Sequence, residues 1–587
     1  MKRTQHFSIA LSLLFLFFIQ LAPTHAADRT SVAARRASWC GTWDWGIEVA
    51  LAKHELNQRR LQRGFHVHSS STGDLETAAL QIGQDGDVAV IRDDGSIVVE
   101  ENLLDLQNRG MKFVRRGKNG YKFRNLGKAM STDLGDRLNL GDDDTARINL
   151  SGFEITYNGK SYSSLFINSD GNLTFVEADT ASTSRDIQRF LYGPPRVAPF
   201  FADLDPSAAT GDGGVYVRLT DNKIIVTWWN VPEFDRTGGN TFQMSMNPRG
   251  NVEVVFGDMA AREGIVGVSP GGGGGLELID LSEELPIKRK GVSMAERFTN
   301  DESLDEAAVA AAFYQNFADD YDQLVMFTDF GHRAAGSAIA YHLTVKNSVR
   351  GIGQAVYNGS RFFGSSGRLG GFVNMGGQSQ YNSDVNRPTF WQTYSATDIV
   401  AHELGHQWLV SATFIDSQGG QNRDLLGRGN AHWSFYFDSD LSFMEGNEIR
   451  DDGNGLFTTL QRRATYNPFD RYLMGLIPVG EVPEKFYVRR QVGSSSSDVP
   501  ANPGETIFGT RVDVSIDQII SSLGTRSPSV ADSQKSFRVG FIVLVKSGEQ
   551  PSQSTIDKVK RITVEIEKLF SKETGRLGSI DTTLVGR

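Results

Sequence analysis

Residues 395–411 read SATDIVAHELGHQWLVS. His402 and His406 stand four apart, and Glu403 directly follows the first of them. At 3.6 residues per turn the two histidines share one helix face, one turn apart. Imidazoles so placed can reach one zinc ion at about 2.0–2.1 Å. Glu403 is rotated by about 100° from His402, so its carboxylate falls beside the metal rather than on it, where a general base belongs. The chemistry expected is hydrolysis. Zinc lowers the pKa of a water towards about 7, Glu403 takes its proton during attack on a carbonyl, and the metal stabilises the oxyanion.

Two ligands do not complete such a site, which needs a third and an open position for water. A glycine and a histidine placed shortly after the motif would supply one, but those positions hold Leu409 and Ala412. His432, in GRGNAHWSFYFDSDLSFMEGN, is the only histidine after the motif. Asp470, in YNPFDRYLMGLIP, is the alternative, carried on a short helix that Pro468 starts. Its other role is that of an acid interacting with the helix dipole. Met444 alone reads as core. Tyr436, Tyr466 and Tyr472 read as oxyanion donors or as packing.

The elements that must position these residues are legible around them. Ser395 is an N-cap and Asp398 its capping-box partner, while Ile399, Val400 and Leu404 give the helix an apolar face. Upstream, DESLDEAAVAAAFYQNFADDY predicts a helix and DQLVMFTDF a buried strand. AIAYHLTVKNSVRGIGQAV predicts one or two extended strands, and LGGFVNMGG another. A strand within 338–356 is the candidate for holding an extended substrate by β-augmentation. FRVGFIVLVKSGEQPSQSTIDKVKRITVEIEKLFSKETG predicts a strong strand followed by an amphipathic helix.

The chain has 587 residues, 39% hydrophobic and 22% charged, with a net charge of −10. That size predicts several domains, and the acidic balance excludes nucleic acid and anionic membrane surfaces as partners. Lys2, Arg3, the apolar run at 9–21 and the small residues before position 28 read as a secretory signal peptide at 1–27. That run is too short for a comfortable membrane span, and no later segment is apolar enough, so the expected protein is secreted, extracellular and without a membrane span. Cys40 is the only cysteine, which excludes an intramolecular disulfide. A thiolate there could hold the metal's fourth position and keep an enzyme latent.

Residues 28–125 read as a propeptide-like region with a helix in GIEVALAKHELNQRRLQ and a hairpin in GDVAVIRDDGSIVVEEN. From 126 to 272 the pattern is all β. Hairpins turn at Ser-Asp-Gly-Asn, at Asp-Asn and at Pro-Arg-Gly-Asn, as expected of a sandwich or barrel. Within it LFINSDGNLTF, VAPFFADLDP, GGVYVR, TWWNVPEF, NTFQMSMNPRGNVEVVFGD and GIVGVSPGG resemble, in order, the nidogen-like domain of extracellular proteins. That resemblance implies a β module contacting matrix or cell surfaces. Asp203 and Asp205 are a calcium-binding candidate or a solvated loop. The glycine run at 271–275 reads as the domain boundary.

Downstream, helix, strands and a His-Glu-x-x-His helix follow in the order of the N-terminal half of a zincin peptidase. HELGH, a long insertion, HW and a methionine in SFMEGN resemble the leishmanolysin-like arrangement of metzincins. The resemblance implies that His402, His406 and His432 are zinc ligands, Glu403 the base and Met444 the floor of the site. The glycine that ends the helix after the second histidine in that family is absent here.

The fold class expected is multidomain α+β: a nidogen-like β domain at 126–272, then a zincin-type metallopeptidase domain at 290–587. The expected function is a secreted zinc metallopeptidase, an endopeptidase, acting on protein or peptide substrates. The alternatives are an adhesion or matrix-binding protein with an inactive zincin domain, and a zinc hydrolase of non-peptide amides or esters.

Overall fold

The computed structural model describes residues 46–587 except 63–78, 100, 118–119, 128, 274, 284–291, 335–337, 391–392, 461–462 and 491–503. The expected signal segment and Cys40 lie outside the described residues. The fold is rich in β-structure with a few helices. Among the described residues no helix is long and apolar enough to cross a membrane.

Four strands in the chain read as near-continuous apolar runs because they are buried on both faces. Val88–Arg92, Ser536–Val545, Gln323–Thr328 and Gly371–Gly377 lie side by side in that order, all parallel. Gln81–Asp85 closes one edge and Tyr341–Thr344 the other, both antiparallel. Alternation then divides the side chains. Val325, Phe327, Phe541 and Val543 enter one core with Ile399, Val400 and Leu404 of the His402 helix and with Ile562 of the helix Gln553–Glu573. Leu324, Met326, Ile542 and Leu544 enter the opposite core, against Val309 and Phe313 of the helix Glu306–Asn316.

The described part of the region 28–125, expected to be propeptide-like, does not stand apart from this sheet. Its residues 81–92 are two strands of this sheet, and Ile91 is fully buried. The expected hairpin around Asp-Asp-Gly does not form either. Asp93 instead caps the following loop, accepting hydrogen bonds from the Ile97 and Val98 amides at 2.9 and 3.1 Å. Val98–Val99 then pairs with Ser303–Leu304, and Asn102 and Thr299 exchange backbone hydrogen bonds of 2.8 Å. These two pairings form a neck, so the all-β unit is an insertion into the α/β unit rather than a domain preceding it.

The insertion is a sandwich of two seven-stranded sheets around one core. The three expected hairpins close as read, with Asn168 opposite Asn172, Thr220 opposite Lys223 and Met246 opposite Val252. Its limits are wider than 126–272. Gly110–Arg116 pairs with Val252–Met259, and Ser293–Phe298 with Gly264–Ser269. The glycine run is inside the sandwich, where Gly271 lies so close to Gly193 that a Cβ would stand 2.4 Å from its carbonyl oxygen. It serves a close backbone approach, not a linker. Asp203 pairs with Arg185 at 3.0 Å and Asp205 accepts hydrogen bonds from Ser207, so local structure uses both.

A second, small unit follows the His402 helix. Trp433–Asp438, Glu445–Gly453, Leu456–Leu460, Thr506–Val514 and Lys485–Arg490 form a closed barrel around Phe457, Phe486 and Ile507. His432 and Met444 immediately precede its first two strands.

Candidate metal centre

The helix Ala396–Gly405 starts with the expected capping box. The Ser395 hydroxyl accepts the Asp398 amide at 3.2 Å, and Asp398 Oδ2 accepts the Ser395 amide at 2.9 Å. A cap of this kind is worth about 1 kcal/mol. Without the glycine, the helix still stops after the second histidine. His406 is its C-cap, and the Trp408 and Leu409 amides fold back onto the Gly405 carbonyl at 3.0 Å.

His402, His406 and His432 converge, with Nε2 of His402 3.1 Å from that of His406 and 3.2 Å from that of His432. Each opposite ring nitrogen faces a backbone carbonyl: Nδ1 of His402 donates to Phe443 O (2.6 Å), of His406 to Leu409 O (2.9 Å) and of His432 to Arg428 O (2.8 Å). A carbonyl only accepts, so each Nδ1 carries the proton and each neutral ring presents an Nε2 lone pair to the shared point. Burial holds all three rings below their usual pKa, His406 down to about 3, and the neighbouring Arg428 guanidinium adds to the effect. Neutral imidazoles are what a metal requires. Lone pairs at 3.1–3.2 Å repel unless a cation stands among them. A tetrahedral zinc at 2.0–2.1 Å from its ligands would separate the nitrogens by about 3.3 Å, so the residues present fit that ion.

The supporting shell links the three histidines. Arg428, whose carbonyl orients His432, forms a buried two-point ion pair with Glu445, the residue after Met444. Met444 is fully buried, and its sulfur lies 2.7 Å from where a Cβ on Gly405 would stand. The glycine of the motif thus admits the methionine under the helix.

Asp470 does not join the cluster. Its carboxylate accepts hydrogen bonds from Trp433 Nε1 (2.8 Å), the Ser442 hydroxyl (2.6 Å) and the Asn467 amide (3.0 Å). Ser442 Oγ in turn accepts the Met444 amide at 2.9 Å, and the Trp433 amide donates to Met444 O at 3.0 Å. Asp470 therefore ties the segment behind His432 to the turn carrying Met444. Burial raises its pKa to about 6, against these donors, which lower it.

Glu403 is buried in the last turn of the helix, and its charge, after burial, helps push the Tyr381 hydroxyl well above its usual pKa. The three candidate tyrosines are otherwise engaged. Tyr466 donates to Ala401 O at 2.6 Å, Tyr436 carries the Arg490 guanidinium 3.8 Å above its ring, and Tyr472 packs in the core. Sequence reasoning missed the Arg428–Glu445 pair, whose only trace is a pair of opposite charges flanking His432 and Met444.

Among the described residues the three histidines form one potential metal-holding group, and Asp438, Asp440 and Glu448 a second, acidic one. Lys485 pairs with Asp440 at 2.7 Å and with Asp438 at 3.7 Å, so part of that charge is already compensated. A sequence family described as NIDO-related matches residues 117–289, a span that overlaps the sandwich. No curated protein and no solved structure matches the chain.

Proposed function

We propose that this is a secreted zinc-dependent peptidase, with the NIDO-related sandwich contacting extracellular proteins. The observation that carries the reading is the convergence of three neutral histidine Nε2 atoms, each with its Nδ1 anchored on a carbonyl, one residue from a buried glutamate. Zinc bound at these nitrogens would supply a water of lowered pKa and a Lewis acid for the scissile carbonyl. Glu403, as carboxylate, accepts the proton of the attacking water and returns it to the leaving amine. The strand Tyr341–Thr344, antiparallel to Gly371–Gly377, is the element we assign to holding the substrate in extended form.

A second reading is favoured by one observation. All three histidines and Glu403 are at most 2% exposed, as in a closed structural metal site. The protein would then be an adhesion module whose metal serves the fold. The experiment is elemental analysis of the purified protein together with casein cleavage, with and without a chelator. One zinc per chain and chelator-sensitive cleavage support the peptidase; zinc without cleavage supports the adhesion module.

A further inference from the structure

A cavity of about 280 Å³ opens where the motif helix ends. Its walls include Gln407, which directly follows His406, and Lys346, which lies just beyond the strand Tyr341–Thr344. It therefore touches both elements that the peptidase reading assigns to the reaction. Gln323 and Gln407 turn their Oε1 atoms to the buried His342 Nε2 beside Gly371, so these oxygens are met within the chain. What the walls offer a ligand is positive charge.

Three cations line the cavity, Lys346, Arg368 and Arg526, against two carboxylates, Asp322 and Asp532. Arg526 is only 6% exposed, yet among the described residues its hydrogen bonds go to neutral oxygens alone. Nε donates to Leu473 O (2.7 Å), Nη2 to Met474 O (3.1 Å), and Nη1 to the Ser533 hydroxyl (2.6 Å) and to Pro528 O. Leu473 and Met474 end the helix Pro468–Met474, whose negative pole offsets about half an elementary charge. The rest stays uncompensated, and burial holds the guanidinium down to about 10. Lys535 adds to the same field. Its Nζ rests on Gly475 O and Val530 O, and after burial the Arg526 charge lowers its pKa.

The other cations have donors to spare. Lys346 Nζ donates to Gly367 O at 2.7 Å, which leaves its remaining N–H groups unused. Arg368 Nη2 donates to Asp322 at 2.9 Å, and Asp322 Oδ2 also accepts from the Arg538 amide and Gln534 Nε2. Asp322 is thus committed, while Asp532 is exposed to water and holds the Ser529 hydroxyl. The surplus on the walls is a single positive charge. A monoanion matches it, a phosphate dianion overshoots it, and an ammonium head is repelled. We propose that the cavity binds a carboxylate of the substrate, carried on an acidic side chain or at the peptide C-terminus. This rests on the peptidase reading above.

The test uses the full-length protein at low salt, with affinity read by ligand-observed NMR. The probes are N-acetyl-glutamate α-amide, N-acetyl-norvaline with a free α-carboxylate, the neutral N-acetyl-glutaminamide, and inorganic phosphate. At least one carboxylate probe is expected to bind at least about tenfold more tightly than the glutaminamide, as a charge-assisted pair formed out of water requires. Lys346→Met and, independently, Arg368→Gln, each checked for cooperative unfolding, should cut that advantage to about threefold or less. Peptide cleavage separates the two sources. Glutamate or aspartate enriched at one subsite assigns the side chain; a loss of at least about tenfold on amidating the C-terminus assigns the terminal carboxylate. Equal binding of carboxylate and amide probes, a preference unchanged in both variants, or tightest binding of phosphate overturns the proposal. Selective carboxylate binding, lost in the variants and without any cleavage, would retire the peptidase reading and leave the carboxylate site standing. Chelator-sensitive cleavage indifferent to acidic residues and to amidation, without selective probe binding, would do the reverse.

Discussion

Removing the Asp470 carboxylate separates its role from that of a metal ligand. Asp470→Ala leaves two fixed buried donors, Trp433 Nε1 and the Asn467 amide, without their acceptor, while the Ser442 hydroxyl can turn elsewhere. Each orphaned donor costs about 1–3 kcal/mol, the Asn467 amide being the donor of the capping box of the helix Pro468–Met474. The α/β unit should therefore lose about 2–6 kcal/mol, with a fall in melting temperature on the order of 10 °C. Asp470→Asn should cost less, about 1–3 kcal/mol, because one side-chain oxygen survives while the new NH₂ meets a donor. The Met444 turn and the His432 segment both hang on this carboxylate, so zinc affinity should drop about 10–100-fold in either variant. Stoichiometry at saturating zinc should stay at one per chain. The assays are calorimetric unfolding and chelator competition. A folded Asp470→Asn protein that binds no zinc would make Asp470 a ligand; unchanged stability and affinity in Asp470→Ala would remove its positioning role.

Other expectations follow from single contacts. His432→Ala should abolish stoichiometric zinc, measured by elemental analysis, since two imidazoles remain where a site needs three ligands. Gly405→Ala places a Cβ 2.7 Å from Met444 Sδ, so it should destabilise by about 1–3 kcal/mol in denaturant titration despite alanine's better helix propensity. Burial raises the Glu296 carboxyl to about 8 at the junction of sandwich and neck. Its stabilising contribution is complete below the unfolded value of 4.5 and is lost as pH rises through 8, on the order of a few kcal/mol. Glu296→Gln should flatten the melting temperature over that window, although one of the donors on Glu296, Asn102 Nδ2 or the Leu281 amide, would then face an NH₂.

The motif helix was legible in the sequence because its information is local. Cap, face and ligand spacing all fall within 395–406. The pairing of His432 with it was legible only as a choice against Asp470. What separates the two is tertiary: Trp433 and Ser442 occupy the aspartate from segments 37 and 28 residues away. The hairpins of the sandwich were legible because turn residues and alternation agree within a few positions. Val88–Arg92 was misread because a strand buried on both faces needs partners, and its partner, Ser536–Val545, is far away in sequence. The insertion was missed through that same misreading, since the neck joins Val98 to Leu304. The barrel escaped notice because, apart from the tight turn between Glu445–Gly453 and Leu456–Leu460, its strands are joined by longer connections.

The most direct test of the account is the rate at which wild type and Glu403→Gln cleave one defined peptide, each assayed for bound zinc. The substitution keeps the side-chain shape and removes its basicity. The account predicts one zinc per chain in both proteins and a loss of about 10²–10⁴-fold or more in the variant's rate. Full activity in zinc-loaded Glu403→Gln would contradict it.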